Sequence, residues 1–224
     1  MKNLLIVAAT GFEIAPILQY LKPYETAQAF HYQLKDKFVK VLITGPGITF
    51  TAYALGKFFG NQSVHYALNV GIAGSFRRDW KLGTVVQIVE EHFGDFGVEN
   101  ADGSFANIFQ LDWMEKSQFP FQNGVLSNPE RLADLPLARG FTVNRVHGAA
   151  ASIAQLPTTQ CDVESMEGAA FFYACLTERI PCMQLRSISN YVEVRNKANW
   201  EIGLAIDALA ETVIQFLSQP IILP

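Results

Sequence analysis

The feature that most constrains this chain is a set of short, unbroken apolar runs, each closed by glycine or a small polar residue. Residues 4–9 read Leu-Leu-Ile-Val-Ala-Ala before Thr10-Gly11. Residues 38–44 end at Gly45-Pro46-Gly47, residues 66–70 at Gly71-Ile72-Ala73-Gly74, and residues 182–188 at Ser189-Asn190. Such runs are far shorter than the roughly 20 residues a membrane-spanning helix needs. They also lack polar alternation, so they fit strands covered on both faces, as in parallel sheets. Further strands are expected at 84–90, 141–146 and 162–163. Helical patterns fall between them, at 13–21, 49–59, 165–177 and 200–217. In the last of these, Ile202, Ile206, Leu209, Val213 and Phe216 form one apolar stripe. Strands alternating with helices predict an α/β sheet with helices on both sides. There is no repeat, linker or low-complexity segment, so residues 1–224 are expected to form one domain. Residues 94–128 are a long stretch without periodicity, which suits a lid, a binding loop or an interface.

Composition narrows the function classes. Lys plus Arg is 17 and Asp plus Glu is 21, a net charge of −4. A mildly acidic chain with no basic cluster lacks the footprint of a nucleic-acid binder. With 50% hydrophobic residues the chain is not disordered. The charged fraction is 17%, below the usual ~25%, which suggests that apolar surface is hidden in a subunit interface as well as a core. Cys161, Cys175 and Cys182 are odd in number and form no C-x-x-C pair, as expected in a reducing, cytoplasmic compartment. The apolar start is too short, and lacks the cleavage site, for a signal peptide. His31, His65, His92 and His147 are scattered, so no metal is expected.

In open α/β sheets ligands gather beyond the carboxyl ends of the strands. Glu13 follows the first run, Gly71-Ile72-Ala73-Gly74 the third, Glu164-Ser165-Met166-Glu167-Gly168 the strand near 162, and Ser189-Asn190 the run at 182–188. Each has a plain reading too. Glu13 and Glu167 suit helix N-termini, the glycines suit a strand-to-helix turn, and Asn190 suits a turn.

Taken together, these segments resemble the nucleoside phosphorylase/nucleosidase superfamily. Its resemblance rests on residues 8–13, 44–47 and 69–74, on Met166-Glu167-Gly168-Ala169-Ala170, and on Arg186-Ser187-Ile188-Ser189-Asn190. Residues 143–148, 162–173 and 189–195 with Trp200 most resemble the futalosine hydrolase family within it. The resemblance implies a single-domain, three-layer fold with a twisted mixed β-sheet flanked by helices, usually in a homo-oligomer. It implies a small-molecule nucleoside substrate and no cofactor. It assigns Glu13 to activate water, Glu167 to hold the ribose hydroxyls with Met166 packed under the sugar, and Asn190 to meet the base. Ile72, Ala73, Gly74, Ile153, Glu164 and Arg186 are the other expected substrate contacts.

At Asn190 the related adenine-specific nucleosidases carry Asp. Adenine offers an acceptor at N7 and an amino donor, whereas a 6-oxopurine offers acceptors at N7 and O6. A carboxylate repels O6, but an amide donates to it. Asn190 therefore favours hypoxanthine as leaving base. Phosphorolysis would need arginines gripping phosphate, and the first strand end supplies Glu13 instead. Arg77 and Arg78 keep a phosphate site open. The expected reaction is hydrolysis of futalosine to dehypoxanthine futalosine and hypoxanthine, in menaquinone biosynthesis. The alternatives are a 5′-methylthioadenosine/S-adenosylhomocysteine-type nucleosidase and a purine nucleoside phosphorylase. For the benzoate of futalosine, the aromatics Phe105, Phe109, Trp113, Phe119 and Phe121 are candidate walls. Arg145, Arg195 or His147 is the candidate partner of its carboxylate.

Overall fold

The computed structural model describes residues 2–131 and 134–219. In chain order it contains β1 (Lys2–Ala8), α1 (Ala15–Leu21), β2 (His31–Gln33), β3 (Lys37–Ile43), α2 (Ile48–Phe59), β4 (Tyr66–Ser75) and β5 (Val85–Phe93). Then follow β6 (Gly97–Glu99), β7 (Phe105–Asn107), β8 (Leu126–Ser127), β9 (Leu137–Thr142), α3 (Ala150–Ile153), β10 (Val163–Ser165), α4 (Gly168–Thr177), β11 (Cys182–Tyr191) and α5 (Ile202–Ser218).

Nine strands form one sheet in the order β10-β9-β5-β11-β4-β1-β3-β2, with β8 against β5. It is mixed: β1, β3, β4 and β11 run parallel, while β11 and β5 are antiparallel. One end curls. β10 pairs parallel with β9 and also antiparallel with β4, through Val163↔Ser75 and Glu164↔Gly74. That closure brings segments from both halves of the chain around the end of β4.

The runs without alternation are buried on both faces. Leu4 and Ile6 pack in the core containing Ile17 of α1 and Leu209 and Val213 of α5. Leu5 and Val7 pack in the core containing Leu55 of α2 and Phe171 and Phe172 of α4. Each such side chain contributes roughly 1.5–3 kcal/mol on burial. This gives three layers, α1 and α5, the sheet, then α2 and α4. In α5 the buried stripe is Ile206, Leu209, Val213 and Leu217, with Ala205 and Ala210 beside it. The expected Phe216 packs partly buried against this core, and Leu217 beside it is fully buried.

Of the boundaries that differ from the sequence reading, three bear on the site. Gly71-Ile72-Ala73-Gly74 is no turn: β4 continues through it to Ser75, and neither glycine has a positive φ. Its small residues serve close packing instead, as the site shows below. The strand expected at 141–146 is β9, which starts and ends earlier because its register is set by pairing with β5. The helix expected from 165 begins at Gly168, because residues up to Ser165 are taken by β10. Within 94–128, β6 and β7 form a hairpin, and Phe109 and Phe121 pack edge to face in the core at 5.0 Å. Phe105, Trp113 and Phe119 are exposed.

Candidate active site

The site is organised around a buried guanidinium. Arg186 lies on β11 opposite Gly71 of β4 and is 1% exposed. Its Nη2 donates to Asn69 Oδ1 at 2.5 Å and its Nη1 to the Leu185 carbonyl at 3.2 Å. Asn69 is held in turn by donating to the Val7 carbonyl of β1 at 3.0 Å. A Cβ on Gly71 would lie 3.2 Å from Glu13 Oε1 and 3.3 Å from Arg186 Nη1. Glycine here lets both charged groups close on the strand.

Glu13 lies between β1 and α1. Its Oε2 accepts from the Thr10 hydroxyl at 2.8 Å and the Thr10 N–H at 3.2 Å, and its Oε1 accepts from the Ile72 N–H at 3.3 Å. It is half-buried, so water can reach it. Glu167 immediately precedes α4 and is buried. Its Oε1 accepts from the Gly47 N–H at 2.9 Å. Gly47 adopts φ +94°, which glycine alone takes without strain, to aim that N–H. Burial pushes the Glu167 carboxyl up, opposed by the Arg186 charge and the Gly47 bond and reinforced by Glu13. Burial in turn pushes Arg186 down, opposed by Glu167, Glu91 and Glu13 in that order. Three carboxyl groups thus act on one buried cation, an environment suited to stabilising positive charge that develops near them.

Glu91 was not expected from sequence. It sits on β5, 1% exposed, and burial pushes its carboxyl up to about 7, against hydrogen bonds from Thr142 and Gln184 and the Arg186 charge. Thr142 Oγ1 donates to its Oε2 and Gln184 Nε2 to its Oε1, each at 2.8 Å. Thr142 Oγ1 also accepts the Ala169 N–H of α4 at 2.8 Å. A Cβ on Gly168 would lie 1.8 Å from Glu91 Oε1, and one on Gly140 2.3 Å from it. The network therefore fixes the start of α4, next to Glu167.

Asn190 lies on β11 opposite Gly74. Its Oδ1 accepts from the Ser189 hydroxyl at 2.8 Å and its Nδ2 donates to the Tyr191 carbonyl at 3.0 Å. These bonds set the amide orientation and leave one Nδ2 hydrogen for a ligand. Of the other expected contacts, Ile72 joins the cluster through its N–H, and Ala73 through its carbonyl, which takes the Ser189 hydroxyl at 3.3 Å. Met166 is half-buried beside Glu167. Glu164 is engaged elsewhere, with His147. Ile153 lies in α3, its N–H bonded to the Ala149 carbonyl at 3.0 Å, and among the described residues no hydrogen bond ties it to the Glu13–Glu167 group.

The candidate phosphate arginines are committed. Arg77 bonds Asp79 and lies 3.9 Å from Asp162. Arg78 bonds Glu193 at 2.7 Å and stacks over Tyr191. Arg195 lies over Trp200, 5.6 Å from the ring centre. An apolar cleft of about 410 Å³ opens between α2, α4 and the 93–121 segment, lined by Ile48, Ala52, Phe59, Phe93, Phe121 and Tyr173 among others. It contains none of the charged groups described above.

The sequence profile of the phosphorylase superfamily matches residues 3–221. The chain is 32% identical to a futalosine hydrolase of Thermus thermophilus over 189 residues, 83% of this chain and 84% of that one. It is 25% identical to a 5′-methylthioadenosine/S-adenosylhomocysteine nucleosidase of Colwellia psychrerythraea over 238 aligned positions, 96% and 95% of the two chains. Its fold matches the structure of a futalosine hydrolase mutant of Helicobacter pylori with a TM-score of 0.74 at 18% identity, covering 97% of this chain and 99% of that one.

Proposed function

The chain belongs to the phosphorylase superfamily and to its futalosine hydrolase family, and on that premise we propose that it hydrolyses futalosine to dehypoxanthine futalosine and hypoxanthine, in a single domain spanning residues 1–224. One observation carries the choice of water over phosphate. Glu13 and Glu167 both act electrostatically on the buried Arg186 guanidinium, while Arg77 and Arg78 are tied to other carboxylates. A phosphate dianion in that cluster would meet net negative charge; a water molecule would meet a base.

The reaction passes through an oxocarbenium-like sugar. Glu167 accepts from the 2′ and 3′ hydroxyls and stabilises the growing positive charge, with its own position set by the Gly47 N–H. Met166 lies under the sugar. The Arg186 charge favours the ionised form of Glu167 against its burial. Glu13, held by Thr10 and Ile72, takes a proton from the water that attacks C1′. The free Nδ2 hydrogen of Asn190 meets O6 or N7 of hypoxanthine. Ile72, Ala73 and Gly74 supply backbone along the base, and Glu164 and Ile153 are the remaining proposed contacts.

The runner-up is a 5′-methylthioadenosine/S-adenosylhomocysteine-type nucleosidase. Greater identity to the futalosine hydrolase than to the nucleosidase and the amide at position 190 both favour the first reading. The apolar cleft, with Phe50, Tyr53 and Phe96 exposed nearby in sequence, supports a homo-oligomer in which another copy covers it. The proposed setting is a cytoplasmic step toward menaquinone. Incubation with futalosine in phosphate-free buffer tests the reaction: hypoxanthine and a free reducing sugar are expected. Strict dependence on phosphate, with a sugar 1-phosphate as product, would overturn hydrolysis.

A further inference from the structure

Hypoxanthine is a poor leaving group as an anion, so its departure is helped by a proton, and the neutral amide of Asn190 has none to give. A second group is brought to the same end of β4. Gly74 of β4 is paired on one side with Asn190 of β11 and on the other with Glu164 of β10. Residues paired directly across a sheet project to the same face, and strands lie about 4.8 Å apart. Glu164 and Asn190 therefore stand on one face roughly 10 Å apart, with a glycine between them.

Glu164 is buried and grips one residue at two points. Its Oε1 accepts the His147 backbone N–H at 3.0 Å, and its Oε2 accepts His147 Nδ1–H. Among the described residues Nε2 has no hydrogen-bond partner, and the imidazole is 15% exposed, so it is neither sealed in the core nor free in solvent. The segment bearing it is locked to the one that follows Asn190. The Arg195 N–H donates to the Gly148 carbonyl at 3.0 Å, and a Cβ on Gly148 would sit 2.9 Å from Arg195 Cβ. Val192 closes over Gly74, 3.0 Å from where its Cβ would be.

We propose that His147, aligned by Glu164, is the catalytic acid that delivers a proton to the departing purine beside Asn190. This rests on the reading of Asn190 as the base-binding residue. As the C1′–N9 bond breaks, its electron pair goes to the purine, and the Nε2 proton of the imidazolium passes to N7. Hypoxanthine leaves neutral and His147 becomes a neutral imidazole. Water attacks C1′ and gives its proton to Glu13. Exchange with solvent then returns the proton from Glu13 to His147, so the cycle closes with one water consumed. A carboxylate on Nδ1–H fixes the ring so that Nε2 faces its target, the same logic by which a carboxylate orients a catalytic imidazole elsewhere.

The test compares futalosine with its N7-methyl derivative, whose purine is already cationic and departs neutral without a proton. His147→Ala and His147→Gln are expected to lower kcat on futalosine by about 10²-fold or more, with KM within threefold. The Gln variant keeps a donor for Glu164, which separates loss of the acid from loss of the local structure. The N7-methyl derivative is expected to lose far less, or added imidazole to restore at least part of the rate in His147→Gly. A kcat within threefold of wild type in both variants overturns the proposal. So does a loss that neither N7 methylation nor imidazole relieves. Wild-type enzyme that releases no base from futalosine would instead refute the proposed reaction.

Discussion

Glu91→Gln tests whether the buried network beneath α4 is built as described. Burial raises the Glu91 carboxyl from its ordinary 4.5 to about 7, so the folded protein binds this proton more tightly than the unfolded chain. Stability from this group is then complete below about pH 4.5, falls as pH rises, and levels off above pH 7. At about 1.4 kcal/mol per tenfold change in proton affinity, the loss across that window is about 3 kcal/mol. Glutamine has the shape of the protonated acid. Its Nε2 can donate to Thr142 Oγ1, and its Oε1 can accept from Gln184, but it does not titrate. Urea unfolding of wild type and Glu91→Gln at several pH values between 4.5 and 8 isolates the effect, because every other titrating group cancels in the difference. The variant is expected to gain on wild type by about 3 kcal/mol over that range. A difference independent of pH would mean that Glu91 is ionised throughout in the folded state, and would refute the reasoning about its burial.

Glu13→Gln is expected to lower kcat by about 10²–10⁴ while leaving KM within a few-fold; steady-state kinetics with an unaltered kcat would remove Glu13 as the base. Asn190→Asp should cut kcat/KM for futalosine by roughly 10²-fold or more, since a carboxylate facing O6 leaves a mismatched buried pair, and should raise turnover of methylthioadenosine. Unchanged selectivity in competition assays would contradict the hydrogen-bond argument. Gly168→Ala places a methyl 1.8 Å from Glu91 Oε1 and 2.5 Å from Gln184 Oε1, and overpacking of this kind costs about 1–3 kcal/mol. Calorimetry should show a lower Tm, and a variant as stable as wild type would show that the network yields.

The parts of this protein that were legible in sequence are those whose signals are local. The run at residues 4–9 identifies β1 because being covered on both faces removes polar alternation, and Leu4–Leu5–Ile6–Val7 indeed divide between two cores. Glu13 and Glu167 were visible as acids just after strand ends. Gly71 and Gly74 resemble a turn in sequence because glycine marks both chain reversal and close approach, and only the tertiary neighbours, Arg186, Glu13 and Asn190, distinguish them. Glu91 was invisible for a similar reason. It falls just past the strand expected at 84–90, while its burial depends on Gly140, Thr142, Gly168 and Gln184, which the fold brings in from the second half of the chain. The His147–Glu164 pair joins residues 17 positions apart across a segment with no periodic signal. Sequence offered His147 only as a partner for the benzoate carboxylate, whereas the fold binds its ring to Glu164.

The central claim is that an amide at position 190 and a carboxylate base at position 13 make this enzyme a hydrolase for a 6-oxopurine nucleoside. The most direct measurement presents futalosine, inosine and methylthioadenosine together in phosphate-free buffer and identifies the free base by chromatography. Hypoxanthine released from futalosine, with methylthioadenosine left intact, is the predicted result. Adenine as the main product would contradict the account of Asn190.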